Sequence, residues 1–320
     1  MTLSDVVTAV SRGGELRAGG TDVVARSLIG RATGPFVDLG AVPGIRGIEW
    51  RPDGSARIAA MTTVAEIAAD PKLRAAYPAL TMTAGGLATP QIRAAATIGG
   101  NLLQRNRCWY YRNPRFSCTQ TGGEGCPARD GRHLYSVVID QGPCVAPHPS
   151  SIGMALLAYD ALVEVHGRGL LPVAELYGDG SDPTRDHLLG PAEVLLAVEL
   201  PVPVAGERAA YHRAIGRAEA EWPLVEAVAR VVADEASGAI TAVAVAVGGV
   251  AHTPLRLTEV EAAFTGVDTL LAAADQATAR CRPLPQTGYK VALLRDTVLE
   301  VLERASGVVC DIPEHGSRTD

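Results

Sequence analysis

Aromatic residues are scarce in this chain. Trp, Tyr and Phe make up 4% of its 320 residues, too few for a platform on which nucleic-acid bases would stack. A basic excess is missing as well. Lys and Arg number 29 against 35 Asp and Glu, a net charge of −6, which argues against the positive face of a nucleic-acid binder. No apolar run approaches the roughly 20 residues that span a bilayer. The start, Met1-Thr2-Leu3-Ser4-Asp5, has no basic segment, so no secretory signal is expected there. The glycine-rich stretches lack both the G-x-G-x-x-G spacing and the Gly-Lys-Ser/Thr close of a P-loop. A His-Glu-x-x-His zinc helix and a convincing nucleophile–base pair are also absent from the sequence.

Six cysteines in a chain of this length are too few for a disulfide scaffold. Four of them, Cys108, Cys118, Cys126 and Cys144, fall in one stretch with spacing C-x9-C-x7-C-x17-C. Such clustering reads better as metal ligation than as two disulfides, although the irregular spacing matches no zinc-finger template. A loop this long without periodicity needs a reason to be ordered, and a thiolate-bound centre would be one. His133 and His148 in the same region read as loop or packing residues, and the isolated Cys281 and Cys310 as incidental. Free thiols suggest the cytoplasm.

With 47% apolar and 20% charged residues, the chain can bury a large core, and two domains are expected. Leu16-Arg17-Ala18 reads as a strand, Gly19-Gly20-Thr21-Asp22 as a turn, Val23–Ile29 as a helix and Phe36–Leu39 as the next strand. Adjacent glycines let backbone approach a ligand with no Cβ in the way. The helix N-terminus favours an anion such as pyrophosphate. An ordinary tight turn between strand and helix is the competing reading. A strand is expected near Arg57–Met61. Thr63 and Glu66 have capping-box spacing, so a helix begins at Val64 and is stopped by Pro71. Another helix covers Ala79–Leu87. Thr97, Gly99, Gly100 and Asn101 could bond a flavin or a phosphate through backbone and amide groups. Beyond the cysteines come a helix at Ile152–Tyr159 and strands at Leu162–His166 and Glu193–Leu200. The segment Pro201–Gly206 reads as a domain boundary. Arg208–Ile215 reads as a strand. Two apolar runs, Trp222–Val232 and Ala239–Val250, flank a hairpin signal at Asp234–Gly238. Helical periodicity marks Leu257–Phe264, Val267–Ala279 and Lys290–Ala305. The tail Gly316–Asp320 is expected to be disordered.

Taken together, Ala18-Gly19-Gly20-Thr21-Asp22, Thr97-Ile98-Gly99-Gly100-Asn101, His148-Pro149-Ser150-Ser151 and Glu193-Val194-Leu195-Leu196 resemble the FAD-binding subunit of the molybdenum hydroxylases. This is the xanthine dehydrogenase and carbon monoxide dehydrogenase family, and the resemblance runs from Leu16 to Ala305. It implies an α+β fold. A two-subdomain FAD-binding domain of the vanillyl-alcohol-oxidase (PCMH) type would span residues 1–203. A small α+β C-terminal domain of the CO dehydrogenase flavoprotein type would span 207–306, leaving a tail at 307–320. The cysteine loop, residues 104–148, resembles the branch with an extra [4Fe–4S] cluster. That branch includes the flavin subunits of bacterial aldehyde oxidoreductases and, with a differently spaced loop, of 4-hydroxybenzoyl-CoA reductase.

The resemblance also implies roles. Cys108, Cys118, Cys126 and Cys144 would ligate the cluster. Arg17, Ala18, Gly19, Gly20, Thr21 and Asp22 would form the turn at the FAD pyrophosphate. Thr97, Gly99, Gly100 and Asn101 would hold the ribityl and phosphate side, and Leu195 would approach the isoalloxazine. Two positions depart from the family. Ser151 stands where relatives usually have Asp, and Arg213 where many have Lys; either change could tune the flavin's potential. The chain would have no catalytic residue of its own. Its FAD would relay electrons from a small [2Fe–2S] subunit and a large molybdopterin-binding subunit to an external acceptor. Some relatives are exported folded with a signal-bearing partner, which makes the periplasm the alternative compartment. Two other functions compete: a self-contained flavin oxidoreductase of the same fold, and a non-enzymatic assembly module with a structural zinc.

Overall fold

The computed structural model describes residues 1–218, 220–234, 237 and 239–307. It opens on a helix, Leu3–Ser11, whose Thr2 and Asp5 form a reciprocal capping box. Val6 and Val10 of that helix pack with Val37, Leu39, Val42 and Ile45. These residues cover a small parallel pair of strands, β1 (Glu15–Arg17) and β2 (Phe36–Asp38), joined through the glycine turn and a short helix, Val23–Ser27.

A five-stranded sheet follows, made of β3 (Ile48–Trp50), β4 (Ala56–Ala59), β5 (Leu162–Val165), β6 (Gly169–Pro172) and β7 (Leu195–Leu200). Its order is β3–β4–β7–β5–β6 and every pair is antiparallel. The capping box at Thr63 and Glu66 forms as expected, each backbone N–H bonded to the other's side chain at 3.2 and 2.7 Å. Pro71 stops the helix that this box begins, as expected, and also does more. The helix Val64–Ala69 ends just ahead of it, and Pro71 opens the next helix, Pro71–Ala76, under an Asp70 cap. The first helical position needs no N–H bond, so proline suits it. Strand β7 begins at Leu195, not Glu193, because Glu193 turns back to accept from the Gly190 N–H at 2.7 Å.

The remaining sheet contains β8 (Glu207–Ala214), β9 (Val225–Ala233), β10 (Ile240–Gly248) and β11 (Leu255–Arg256), ordered β11–β10–β9–β8 and antiparallel throughout. The long helix Tyr289–Ser306 covers one face, and the helix Ser151–Ala158 packs against β9 and β10 from the other side. Cover on both faces explains why β9 and β10 read as near-continuous Ala/Val runs and not as alternating ones. Leu294, Val298, Val301, Leu302 and Ala305 form the buried stripe of the long helix. All eight residues of Ser151–Ala158 are buried, which accounts for its lack of a polar face. The helix expected over Val267–Ala279 is split into a 3-10 turn, Val267–Thr269, and a helix, Leu270–Gln276. Part of the hairpin turn (residues 235, 236 and 238), Cys310 and the tail at 316–320 lie outside the described residues. Among the described residues, no helix is long and apolar enough to cross a membrane.

Candidate functional site

The two glycine motifs meet. Gly20 has φ +77°, and its turn delivers the chain into Val23–Ser27. Thr97 caps the helix Ile98–Leu102 by accepting from the Gly100 N–H at 3.1 Å, so Gly99, Gly100 and Asn101 lie in a single helical turn and not in open loop. A Cβ on Gly19 would stand 1.8 Å from the Ala95 carbonyl oxygen, and one on Gly99 would stand 2.9 Å from Ala60 Cβ. Glycine is required at both because backbones touch there. The result is a narrow cleft of about 100 Å³ lined by Ala18 to Asp22, Thr97, Gly99, Gly100 and Leu195, among others. Two residues expected with them stand apart. Arg17 turns outward to pair with Asp38 at 2.6 Å. Asn101 accepts instead from Ser150 Oγ at 2.7 Å, which ties it to the buried helix.

Asp22 opens the helix Val23–Ser27 without capping it. Its carboxylate instead takes Arg26 Nε at 2.9 Å, Arg112 Nη2 at 2.7 Å and Arg107 Nη1. The Arg105 N–H reaches it at 3.3 Å. Burial would push the Asp22 carboxyl up, but Arg107, Arg112 and Arg26 hold it well below the usual carboxylate range. Arg31 adds bonds to the carbonyls of Tyr111, Asn113 and Phe116. The side chain expected at a cofactor thus grips the cysteine loop.

Within that loop all four clustered cysteines are free thiols. A second buried carboxylate orders them. Asp186 forms an ion pair with Arg105, whose Nε lies 2.9 Å away, and accepts from Gln120 Nε2 at 2.9 Å and the Asn106 N–H at 3.1 Å. Asn106 in turn accepts from the Cys108 N–H at 3.0 Å, while Gln120 Nε2 lies 3.9 Å from Cys144 Sγ. The Thr121 hydroxyl lies 3.8 Å from Cys118 Sγ. Backbone N–H groups of Tyr111 and Tyr110 face the Cys108 sulfur, and that of Ala146 faces Cys144. Burial pushes both of those thiols up, and neighbouring cysteines add to the effect: Cys126 and Cys118 on Cys108, Cys126 and Cys108 on Cys144. Among the described residues, no three His, Cys, Asp or Glu side chains close on a point where a single ion would sit. His133 and His148 have ring nitrogens engaged by backbone, at Ala128 and Gln286 and at Asp186 and Ser150 respectively. Burial lowers His148 to about 4.

A wider cleft of about 640 Å³ lies beside the loop, walled by Cys108, Trp109, Tyr135, His148, Trp222, Glu226 and Lys290, with others. Arg107 lines the wide cleft and reaches Asp22 and Gln104 of the narrow one. Its guanidinium bonds Gln104 Oε1 at 2.7 Å beside Asp22, and sits 4.7 Å from the Trp222 ring. Arg213, on β8, donates to the carbonyls of Gly86 and, at 2.8 Å, Glu221. Ser151 is buried and faces Tyr211 and Glu226. Sequence reasoning missed Glu226 and Lys290. Glu226 is nevertheless visible as a lone acid in an apolar run, whereas Lys290, after Gln286-Thr287-Gly288-Tyr289, carries no such signal.

This geometry defines a class: an α+β protein whose two glycine motifs line one narrow cleft, with a wider, aromatic-walled cleft at the cysteine loop. Comparison with known proteins is specific. The model of the FAD binding domain in molybdopterin dehydrogenase matches residues 2–203, and that of the CO dehydrogenase flavoprotein C-terminal domain matches 209–306. The aldehyde oxidoreductase FAD-binding subunit PaoB of Escherichia coli (strain K12) is 31% identical over 306 residues, covering 92% of each chain. The carbon monoxide dehydrogenase medium chain of Hydrogenophaga pseudoflava is 26% identical over 279 residues, covering 84% of this chain and 81% of that one. A solved structure of carbon monoxide dehydrogenase from the same organism shares the fold with a TM-score of 0.73 at 22% identity, covering 96% and 95% of the two chains. The chain belongs to the FAD-binding subunits of the xanthine dehydrogenase and carbon monoxide dehydrogenase family, and is an oxidoreductase subunit.

Proposed function

We propose that this chain holds FAD along its two clefts and carries electrons within a molybdenum hydroxylase complex. Its partners are a small [2Fe–2S] subunit and a large molybdopterin-binding subunit, and its electrons leave to an external acceptor. The observation that carries the reading is the meeting of two sequence-distant glycine motifs on one narrow cleft, where a Cβ at Gly19 or Gly99 would collide with backbone or core. Backbone at Ala18 to Asp22 would hold the pyrophosphate, and Thr97, Gly99 and Gly100 would line the ribityl and phosphate side. Ser151 and Arg213 would face the ring end, and Leu195 would close the narrow cleft from β7. Bound FAD supplies a redox centre that exchanges electrons singly or in pairs. The protein's part is to hold the group, exclude water and set its surroundings, which requires no catalytic base.

A [4Fe–4S] cluster on Cys108, Cys118, Cys126 and Cys144 completes the proposal. Four free thiols on one loop support it, as do the N–H and O–H groups near their sulfurs, since such bonds tune cluster potentials. The test is purification under anaerobic conditions, followed by acid release of flavin, iron and sulfide analysis, and identification of copurifying chains. Stoichiometric FAD and iron are expected. A colourless protein that takes up neither on reconstitution would overturn the reading.

A further inference from the structure

Glu226 lies on β9 inside the apolar run Pro223–Val228 and is 1% exposed. An acid in such a place must be bonded or neutral. The fold leaves room for it. Its register partner on β10 is Gly248, where a Cβ would stand 2.7 Å from Glu226 Oε1. Its partner on β8 is Arg213, and the Tyr211 hydroxyl on the same strand donates to Glu226 Oε2 at 2.9 Å. Ser151, at the start of the buried helix, faces the same carboxyl. Burial pushes the acid up, against the pull of Ser151, Tyr211 and Arg213. Glu226 is also one of the residues that line the wide cleft. An apolar side chain would fill this slot without desolvation cost, so packing alone does not explain an acid here.

We propose that Glu226 is a positioning residue for the flavin ring, its carboxyl held by Tyr211 and giving a hydrogen bond to the polar edge of the ring in the wide cleft. The inference rests on the FAD reading above and adds a residue to it. A hydrogen-bond donor at that edge favours the form in which the edge carries more negative charge, which is the reduced form. Removing the donor therefore lowers the reduction potential.

The experiment is a spectroelectrochemical titration of the intact complex, with FAD content measured on each sample. Glu226→Leu removes the donor, Glu226→Gln keeps an N–H, and Tyr211→Phe frees the carboxyl from its anchor. Expected is a fall of tenfold or more in the reduced-to-oxidised ratio for Glu226→Leu, about 30 mV for a two-electron couple. Tyr211→Phe moves in the same direction by less, and Glu226→Gln stays within a tenfold change. An FAD-loaded Glu226→Leu protein with the wild-type potential overturns the proposal. If that variant fails to fold, an unchanged potential in Tyr211→Phe overturns it equally. Wild-type protein that binds no FAD would instead sink the flavin reading, a different and recognisable result.

Discussion

Asp22→Asn is the substitution with the clearest physical consequence. The carboxylate is the common acceptor of three guanidinium groups. Side-chain exposure is 13% for Asp22, 11% for Arg26, 16% for Arg112 and 25% for Arg107, so these are not surface pairs worth a fraction of a kcal/mol. Asparagine keeps one acceptor oxygen and removes the charge, leaving three crowded cations. Breaking a buried pair from one side costs about 3–5 kcal/mol, a large share of a total stability of about 5–15 kcal/mol. The pH dependence has a definite sign. The folded carboxyl sits below its ordinary 3.8, so its stabilisation is present above that pH and is lost as pH falls below it. Urea denaturation followed by circular dichroism, at neutral and acid pH, measures both effects. At neutral pH the variant should unfold at markedly lower urea, and its acid loss of stability should be shallower than wild type. Arg107 and Arg112 belong to the cysteine loop, so protease nicking near residues 105–113 should rise as well. A neutral-pH loss under about 1 kcal/mol would refute the claim that this carboxylate anchors the loop to the glycine turn.

Three further substitutions test neighbouring steps. Gly19→Ala places a methyl 1.8 Å from the Ala95 carbonyl oxygen, so backbone must move; it should cost about 3 kcal/mol, the upper end of overpacking, and abolish FAD uptake. Gly20→Ala has open space 3.6 Å from Val24 and carries only the left-handed backbone penalty of about 1–2 kcal/mol. Thermal melts and FAD titration of the pair should show that order, and the reverse order would count against the backbone-contact reading. Cys118→Ser should deplete iron while leaving most flavin bound, and unchanged iron content would refute its assignment as a ligand. Burial lowers Lys290 to about 7, while the unfolded side chain titrates near 10.5. The unfolded state then binds more protons across that window, so stability rises with pH there by up to about 1.4 kcal/mol per unit. Lys290→Met should lose that slope, and a slope shared by both proteins would assign it elsewhere.

The features readable from sequence are those whose cause is local. The Thr63–Glu66 capping box closes within one turn, and the strand–glycine–helix–strand order of residues 15–39 follows from turn chemistry. The helix Leu3–Ser11 is equally legible from Thr2, Asp5 and the spacing of Val6 and Val10. Pro71 shows where a local signal is ambiguous: proline ends one helix and begins another for the same lack of an N–H, and only Asp70 indicates which. The site was legible to a lesser degree because its causes are distant. Gly19 is glycine because of Ala95, and Asp22 is buried because Arg107 and Arg112 return to it from the cysteine loop. No pattern around Asp22 announces those partners. One long-range signal does survive in a single sequence. An ionisable residue inside an apolar run, such as Glu226, must find a partner or become neutral once buried. It therefore marks a place where the fold has brought something to meet it, without saying what; the partner, the Tyr211 hydroxyl, comes from a neighbouring strand.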